Sequence, residues 1–71
     1  MKAYCDKNKI EQLLARRPLS FLVEEINNMG IKVSYDALNH IVNNRNACKI
    51  DYALAMAKIL NTTVENIFYL E

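Results

Sequence analysis

Apolar residues along the chain recur at intervals of three or four positions, in five short blocks. That spacing places the apolar side chains of each block on one face of an α-helix. No stretch alternates apolar and polar residues for long enough to predict a β-strand. The pattern therefore predicts an all-α fold, a single domain over residues 1–71, with helices at approximately 8–17, 19–29, 34–43, 50–60 and 63–70.

Residues that cap helix N-termini mark where these helices are predicted to begin. Asn8 and Ser34 carry side-chain oxygens that can accept from first-turn N–H groups, at the starts of the first and third helices. Pro18 either interrupts the chain or opens the second helix at its first turn. Thr62 and Glu65 have the spacing of a capping box, which predicts the start of the last helix.

Gly and Asn residues mark where three of the helices are predicted to end. Gly30 is predicted to end the second helix in a left-handed backbone conformation, and Asn44 to follow the third, because Asn is the best substitute for Gly there. Asn61 closes the fourth helix. The residues of the fourth helix predicted to face the core are Ile50, Ala53, Leu54, Ala57 and Leu60.

The third predicted helix separates apolar from polar residues most clearly. On a wheel advancing about 100° per residue, its polar residues fall within an arc of about 140° and its apolar residues fill the opposite side. The apolar residues are Ala37, Leu38, Ile41 and Val42. We call the other set the polar arc: Tyr35, Asp36, Asn39, His40 and Asn43. One side is predicted to pack on the core, and the other to offer groups that donate or accept hydrogen bonds.

The distribution of charge is more informative than its sum. A formal net charge of +1 is lower than expected for a protein that binds the phosphates of nucleic acid. Arg16 and Arg17 are adjacent, however, and Arg45 and Lys49 flank the end of the third predicted helix. These cations are either solvent-exposed charges on helix faces or groups that bind phosphate, and composition leaves both interpretations open.

Several classes of function are not expected. Cys5 and Cys48 lie far apart without a CxxC or a Cys/His cluster, which predicts two reduced thiols, no metal site and no cofactor. Neither a nucleophile with its base nor a glycine-rich phosphate loop is present, so no enzymatic activity is expected. No segment approaches the roughly 20 apolar residues that cross a bilayer, and the first residues lack the core of a secretion signal. A cytoplasmic protein without a membrane partner is expected.

From the second predicted helix onward the chain resembles the helix-turn-helix regulators of the Cro and phage-repressor type. The segment LVEEIN resembles the first helix of their bihelical motif, and Ser34, Leu38 and Ile41 match the pattern of their recognition helix. Asn43, Asn44 and Arg45 stand where the family has Asn-Gly and a basic residue, and ALAMAKILNTTVENIFYLE resembles its last two helices. The resemblance implies a compact, five-helix, lambda-repressor-like DNA-binding domain.

The chain departs from the family pattern at two places. The turn NNMGIKVS is longer than the tight turn of the family, as in some repressors of Gram-positive bacteriophages. Leu19 stands near the position where the family often has a Gln that contacts phosphate.

The same resemblance implies which residues contact DNA, with residues 34–43 as the recognition helix in the major groove. The implied base-reading residues are Tyr35, Asp36, Asn39 and His40. The implied phosphate-binding residues are Ser20, Asn43, Arg45, Asn46 and Lys49. Two alternatives stay open: Asp36 can serve only to complement the helix macrodipole, and His40 can be an exposed residue without a ligand.

A module of this size covers few base pairs, so a homodimer on a two-fold DNA operator is expected. The predicted dimer surface is Phe68, Tyr69 and Leu70, although Phe68 can instead fill the core while the other two cover its rim. The first function hypothesis is a transcription regulator, a repressor or switch protein, of a phage, mobile element or bacterium. The alternative is an antirepressor that keeps the fold and acts by binding another repressor protein.

Overall fold

Helices make up most of the computed structural model, which describes residues 1–71. The five helices are α1 (Lys7–Leu14), α2 (Leu19–Asn28), α3 (Tyr35–Val42), α4 (Ile50–Ile59) and α5 (Val64–Ile67). Two short strands, β1 (Ala3–Cys5) and β2 (Phe68–Leu70), bring the two ends of the chain together. None of the helices combines the length and the apolar character that crossing a membrane requires.

The two-stranded sheet corrects the all-α prediction. β1 and β2 are antiparallel, with Tyr4 opposite Tyr69, and the last helix ends at Ile67 instead of near residue 70. Phe68 already has an extended backbone, at φ −130° and ψ 150°. Strands of three residues, AYC and FYL, are too short to produce an alternating pattern, so only the pairing of distant termini reveals them.

The first helix also differs from its prediction at both ends. Its N-cap is Asp6, whose Oδ1 accepts from the Lys9 N–H at 3.1 Å, so Asn8 lies inside the helix and does not cap it. The helix ends at Leu14 because Ala15 and Arg16 both adopt positive φ, at 53° and 72°. Two successive left-handed residues other than Gly cannot continue a helix and are costly individually.

The ends of α2, α3 and α4 are confirmed and share one geometry. Gly30, Asn44 and Asn61 have φ of 88°, 62° and 55°. In each case the residue after the left-handed one donates its N–H to the carbonyl five residues earlier. After α3, for example, the Arg45 N–H donates to His40 O at 2.8 Å. This is the Schellman arrangement, which has one left-handed residue at each helix end. Two of these three residues are Asn.

The three remaining start signals have different outcomes. Ser34 caps α3 as predicted, its Oγ accepting from the Ala37 N–H at 3.1 Å. Thr62 does not form the predicted capping box, because its own N–H completes the end of α4 by donating to Ala57 O. The residue at the N-cap of α5 is Thr63, which makes no side-chain capping bond. Pro18 is the N-cap residue of α2 and has an extended backbone, so it lies just before the first turn in which it was predicted.

Every helix contributes to one core cluster of 14 buried residues. Its largest fully buried side chains are Ile10, Leu22, Ile26, Leu38, Met56 and Ile67. α2 lies at the centre, against both α3 and α4. The predicted orientation of α4 is wrong in part, since Ile50 and Leu54 are 70% and 57% exposed while Ala55 and Met56 are buried instead.

Two asparagine side chains join distant parts of this fold. Asn27, in the last turn of α2, donates to Val33 O (3.0 Å) and accepts from the Val33 N–H (3.1 Å). Asn44 makes the same pair of bonds to Cys5, accepting from its N–H at 2.7 Å and donating to its carbonyl at 3.1 Å. The first pair holds the connection between α2 and α3, and the second ties β1 to the end of α3.

Replacing Asn44 with Gly separates the two roles of this side chain. Gly adopts the left-handed backbone without strain, but the variant loses both bonds to Cys5, and we expect a net loss of about 1 kcal/mol in the free energy of unfolding. Asn61→Gly is the matched control: the backbone is equally left-handed, and we expect a change within about 0.5 kcal/mol. Urea unfolding of both variants measures the difference, and equal effects would contradict the role of the Cys5 bonds.

Candidate functional site

The apolar side of α3 is anchored against α2. Leu38 is completely buried, and Ile41 and Val42 are nearly so. Ser34 fixes the start of the helix, and the left-handed Asn44 fixes its end. With one side packed and both ends held, α3 has a defined orientation, and the direction of its outer side follows from it.

The polar arc of α3 lies at the surface, as its pattern predicts. Asp36 and His40 are exposed, and Tyr35 is 50% exposed. Asn39 and Asn43 are half-buried. Asp36 and His40 are thus the outermost residues, while Tyr35, Asn39 and Asn43, one residue per turn, lie on the side nearer α1.

Asn43 is engaged within the protein. Its Nδ2 donates to the Asn39 carbonyl at 2.7 Å and to Asn39 Oδ1 at 3.1 Å. Its Oδ1 accepts from Lys7 Nζ at 2.8 Å. The contact brings the cation of Lys7 to the edge of the polar arc, from a position 36 residues away in sequence. Sequence reasoning did not find Lys7, because nothing local to α1 indicates which residue of α3 it meets.

A cleft of about 360 Å³ separates α1 from the polar arc. Ile10, Leu14 and Val42 contribute to its apolar lining, while Arg16 and Tyr35 are among its other lining residues. Arg17 also borders the cleft, but its guanidinium is committed to the end of α1: Nε donates to Leu14 O at 2.7 Å, and the group lies 4.3 Å from the Phe21 ring centroid. The adjacent arginines therefore have different environments.

The predicted phosphate-binding residues are divided between two places. Arg45, Asn46 and Lys49 are all exposed in the connection that follows α3. Ser20 is exposed in the first turn of α2, where Pro18 supplies no side-chain cap to the helix amides. An uncapped helix N-terminus carries partial positive charge and free N–H groups, which suit an anion.

A second cleft, which we call the sheet cleft, lies between the sheet and the α3–α4 connection, with a volume of about 430 Å³. Both cysteines line it. Burial, with a smaller contribution from the neighbouring Cys48, raises the pKa of Cys5 to about 12. Burial, with a smaller contribution from Asp51, raises the pKa of Cys48 to about 11. Both thiols are therefore protonated at neutral pH, and the cleft carries no thiolate.

The predicted dimer surface is divided by the strand geometry of β2. Phe68 is half-buried and packs against the core, whereas Leu70 is 67% exposed. Tyr69 points to the opposite face of the sheet, since successive strand residues alternate. There its ring stacks on Tyr4 with centroids 5.7 Å apart. The three residues thus do not form one continuous surface.

The raised pKa of Cys48 predicts slow alkylation of the folded protein. At pH 8 a thiol with a pKa of about 11 is ionised about a hundredfold less than a cysteine with the ordinary pKa of 9.0. We expect the rate of reaction with iodoacetamide to rise about tenfold per pH unit between pH 8 and 10. Mass spectrometry of quenched samples measures it, with urea-unfolded protein as the control. A plateau near pH 9 in the folded protein would contradict the shift.

No family model matches this chain, and neither a curated protein nor a solved structure matches it. The polar arc projects from an anchored helix, with Lys7 at one edge and the cations of the α3–α4 connection at its end.

Proposed function

We propose that the chain is a sequence-specific DNA-binding transcription regulator of the Cro and phage-repressor type, with α3 as its recognition helix. The observation that carries the proposal is that Leu38, Ile41 and Val42 are buried while Tyr35, Asp36 and His40 face solvent on the same short helix. A helix presented in this way has the width to enter the major groove, where every base pair offers a distinct set of donors and acceptors.

The exposed side chains have the chemistry for base recognition. Tyr35 can press its ring on a thymine methyl or donate its hydroxyl, Asp36 can accept from cytosine N4, and His40 can donate to guanine N7 or O6. Asn39 is a fourth candidate: its Oδ1 accepts from Asn43, which leaves its amide nitrogen available. Asp36 also lies in the first turn of α3, where a negative charge complements the helix macrodipole even without DNA.

Phosphate contacts are assigned to the cations that border the polar arc. Arg45, Asn46 and Lys49 follow α3, and the N-terminus of α2 around Ser20 offers backbone N–H groups. Lys7 joins this set, and Asn43 contributes by holding the Lys7 ammonium group in place at 2.8 Å. Such contacts fix the orientation of the protein on the duplex without reading sequence.

The long connection between α2 and α3 is compatible with this function because it is held in one conformation. Asn27 bonds both backbone groups of Val33, and the Tyr52 hydroxyl donates to Lys32 O at 3.0 Å. We propose that α2, this connection and α3 form a helix-turn-helix with a lengthened turn. Because the turn is restrained at two points, its extra length does not leave α3 free to reorient.

We further propose that two copies bind a two-fold DNA operator, with the exposed Leu70 near their contact. A second candidate function, an antirepressor that binds another repressor protein, is favoured by the net charge of only +1 and by the acidic Asp36 within the arc. The two functions differ in whether the chain alone binds duplex DNA with a sequence preference.

Selection of bound duplexes from a random pool, followed by affinity measurements across salt concentrations, tests the DNA proposal. Three cations per protomer, Lys7, Arg45 and Lys49, predict a slope of log affinity against log salt of about −3 per protomer. An enriched sequence with such a slope supports the regulator. Absence of measurable binding to any pool member would contradict it and leave the antirepressor.

Two substitutions distinguish a residue that reads the base sequence from one that binds phosphate. His40→Ala should cost about 1–3 kcal/mol on the selected sequence and relax preference at particular base pairs. Arg45→Ala should weaken binding to all duplexes alike and reduce the salt slope by about 1. Lys58→Ala, which removes an exposed cation from the far end of α4, is the control and should leave affinity unchanged. An equal loss on every sequence for His40→Ala would contradict its reading role.

A further inference from the structure

The sheet cleft has an apolar lining that the proposed DNA contacts do not use. Ten of its 14 lining residues are hydrophobic. Ala53 and Phe68 belong to this lining, together with Val64, and the exposed side chain of Ile50 stands at its edge. Ile50 was predicted to face the core, and its 70% exposure leaves a large aliphatic group beside an open apolar cleft.

The charged residues of the sheet cleft are of one sign. Lys2 and Arg45 are its only charged lining residues, and the nearby carboxylate of Asp51, which acts on Cys48, lies outside the lining. The two cysteine thiols are protonated at neutral pH, as described above, so they add no negative charge. An anion beside an apolar group in this cleft would thus meet attraction, whereas a cation would meet repulsion.

We propose that the sheet cleft binds an acidic peptide segment of a protein partner, through one Leu or Phe side chain flanked by Asp or Glu. The apolar anchor contacts Ala53, Val64 and Phe68, and the flanking carboxylates lie near Lys2 and Arg45. A cleft of about 430 Å³ is within the range of clefts that hold small ligands, so it has room for one such side chain. Nucleic acid could satisfy the cations but has no aliphatic side chain to cover the apolar lining.

This inference goes beyond DNA binding and is tested without DNA. The probe is the peptide acetyl-Glu-Asp-Leu-Phe-Asp-Glu-amide, added to the full chain labelled with nitrogen-15. We expect saturable amide shifts at Ala53, Val64 and Phe68. Two control peptides, one with Gly-Ser for Leu-Phe and one with Lys at every acidic position, should bind at least tenfold more weakly. Lack of saturable shifts with the acidic probe at millimolar concentration would overturn the proposal.

The chain offers a matched pair of variants for this test. Ile50→Glu places a negative charge at the edge of the cleft and should weaken peptide binding at least tenfold. Leu54→Glu makes the same change one turn later on α4, at a residue that is also exposed but does not line the cleft, and should change affinity less than twofold. Because both sites are exposed, both variants should fold, which the far-UV circular dichroism of each checks. Equal losses in the two variants would contradict a binding site in the cleft.

A second copy of the chain is the alternative occupant, and sedimentation of the peptide-free protein distinguishes it. We expect Ile50→Glu to leave the oligomeric state unchanged. Dissociation of a dimer by Ile50→Glu but not by Leu54→Glu would mean that the cleft is an interface between copies, which would overturn the proposal of an acidic partner.

Discussion

Two asparagine amides, each bonded to both backbone groups of a distant residue, hold the parts of this fold that its small core does not reach. Asn44 joins β1 to the end of α3 through Cys5, and Asn27 holds the α2–α3 connection through Val33. An amide side chain matches the donor and acceptor of a peptide group, so it acts as a short piece of β-pairing without a strand. The N–H and carbonyl of Cys5 point away from β2, because the bonded pairs of an antiparallel ladder alternate. Asn44 satisfies the edge of β1 that would otherwise face the cleft unpaired.

These contacts explain how a chain of 71 residues can keep an exposed helix in a fixed orientation. A domain of this size buries a smaller fraction of its surface than a larger domain does, and its core cluster holds only 14 residues. The apolar side of α3 supplies the packing, while the Asn44 pair secures its end against the sheet. Asn44 is also left-handed, so one residue ends the helix, turns the chain toward Arg45 and bonds β1. Gly in the same position would retain only the turn.

The features that the sequence predicts are those governed by local rules. The left-handed helix ends at Gly30 and Asn44, the closure of α4 by Asn61 and the cap at Ser34 depend on residues within one helical turn, and all are confirmed. The sheet was missed because it depends on pairing between the two termini. Lys7 was missed because its contact with Asn43 spans 36 residues.

On α4 the periodicity is ambiguous, since Ala and Leu occupy most positions. Ala53, Ala55 and Ala57 allow close packing, and Ile50 and Leu54 remain outside. The polar arc is at the surface as its pattern indicates, but its contacts with bases stay a prediction.

The low net charge is a weaker argument against DNA binding than it first suggests. Screening limits the reach of exposed charges to about 10 Å at 0.1 M salt, whereas the molecule is 31 Å long. Acidic residues beyond that distance therefore have little influence on phosphates near α3, whereas Asp36 in α3 and Glu11 in the α1 cleft lie close enough to oppose them. What a net charge of +1 does remove is long-range steering of the protein toward DNA. Affinity must then come from groups already in position, such as the Lys7 ammonium group held by Asn43 and the cations that follow the Asn44 turn.

Arg45 belongs to both the proposed phosphate contacts and the edge of the sheet cleft, so an acidic partner in the cleft would remove one of these few cations from DNA. With so few cations available, the loss of one has a larger relative effect than it would in a strongly basic protein.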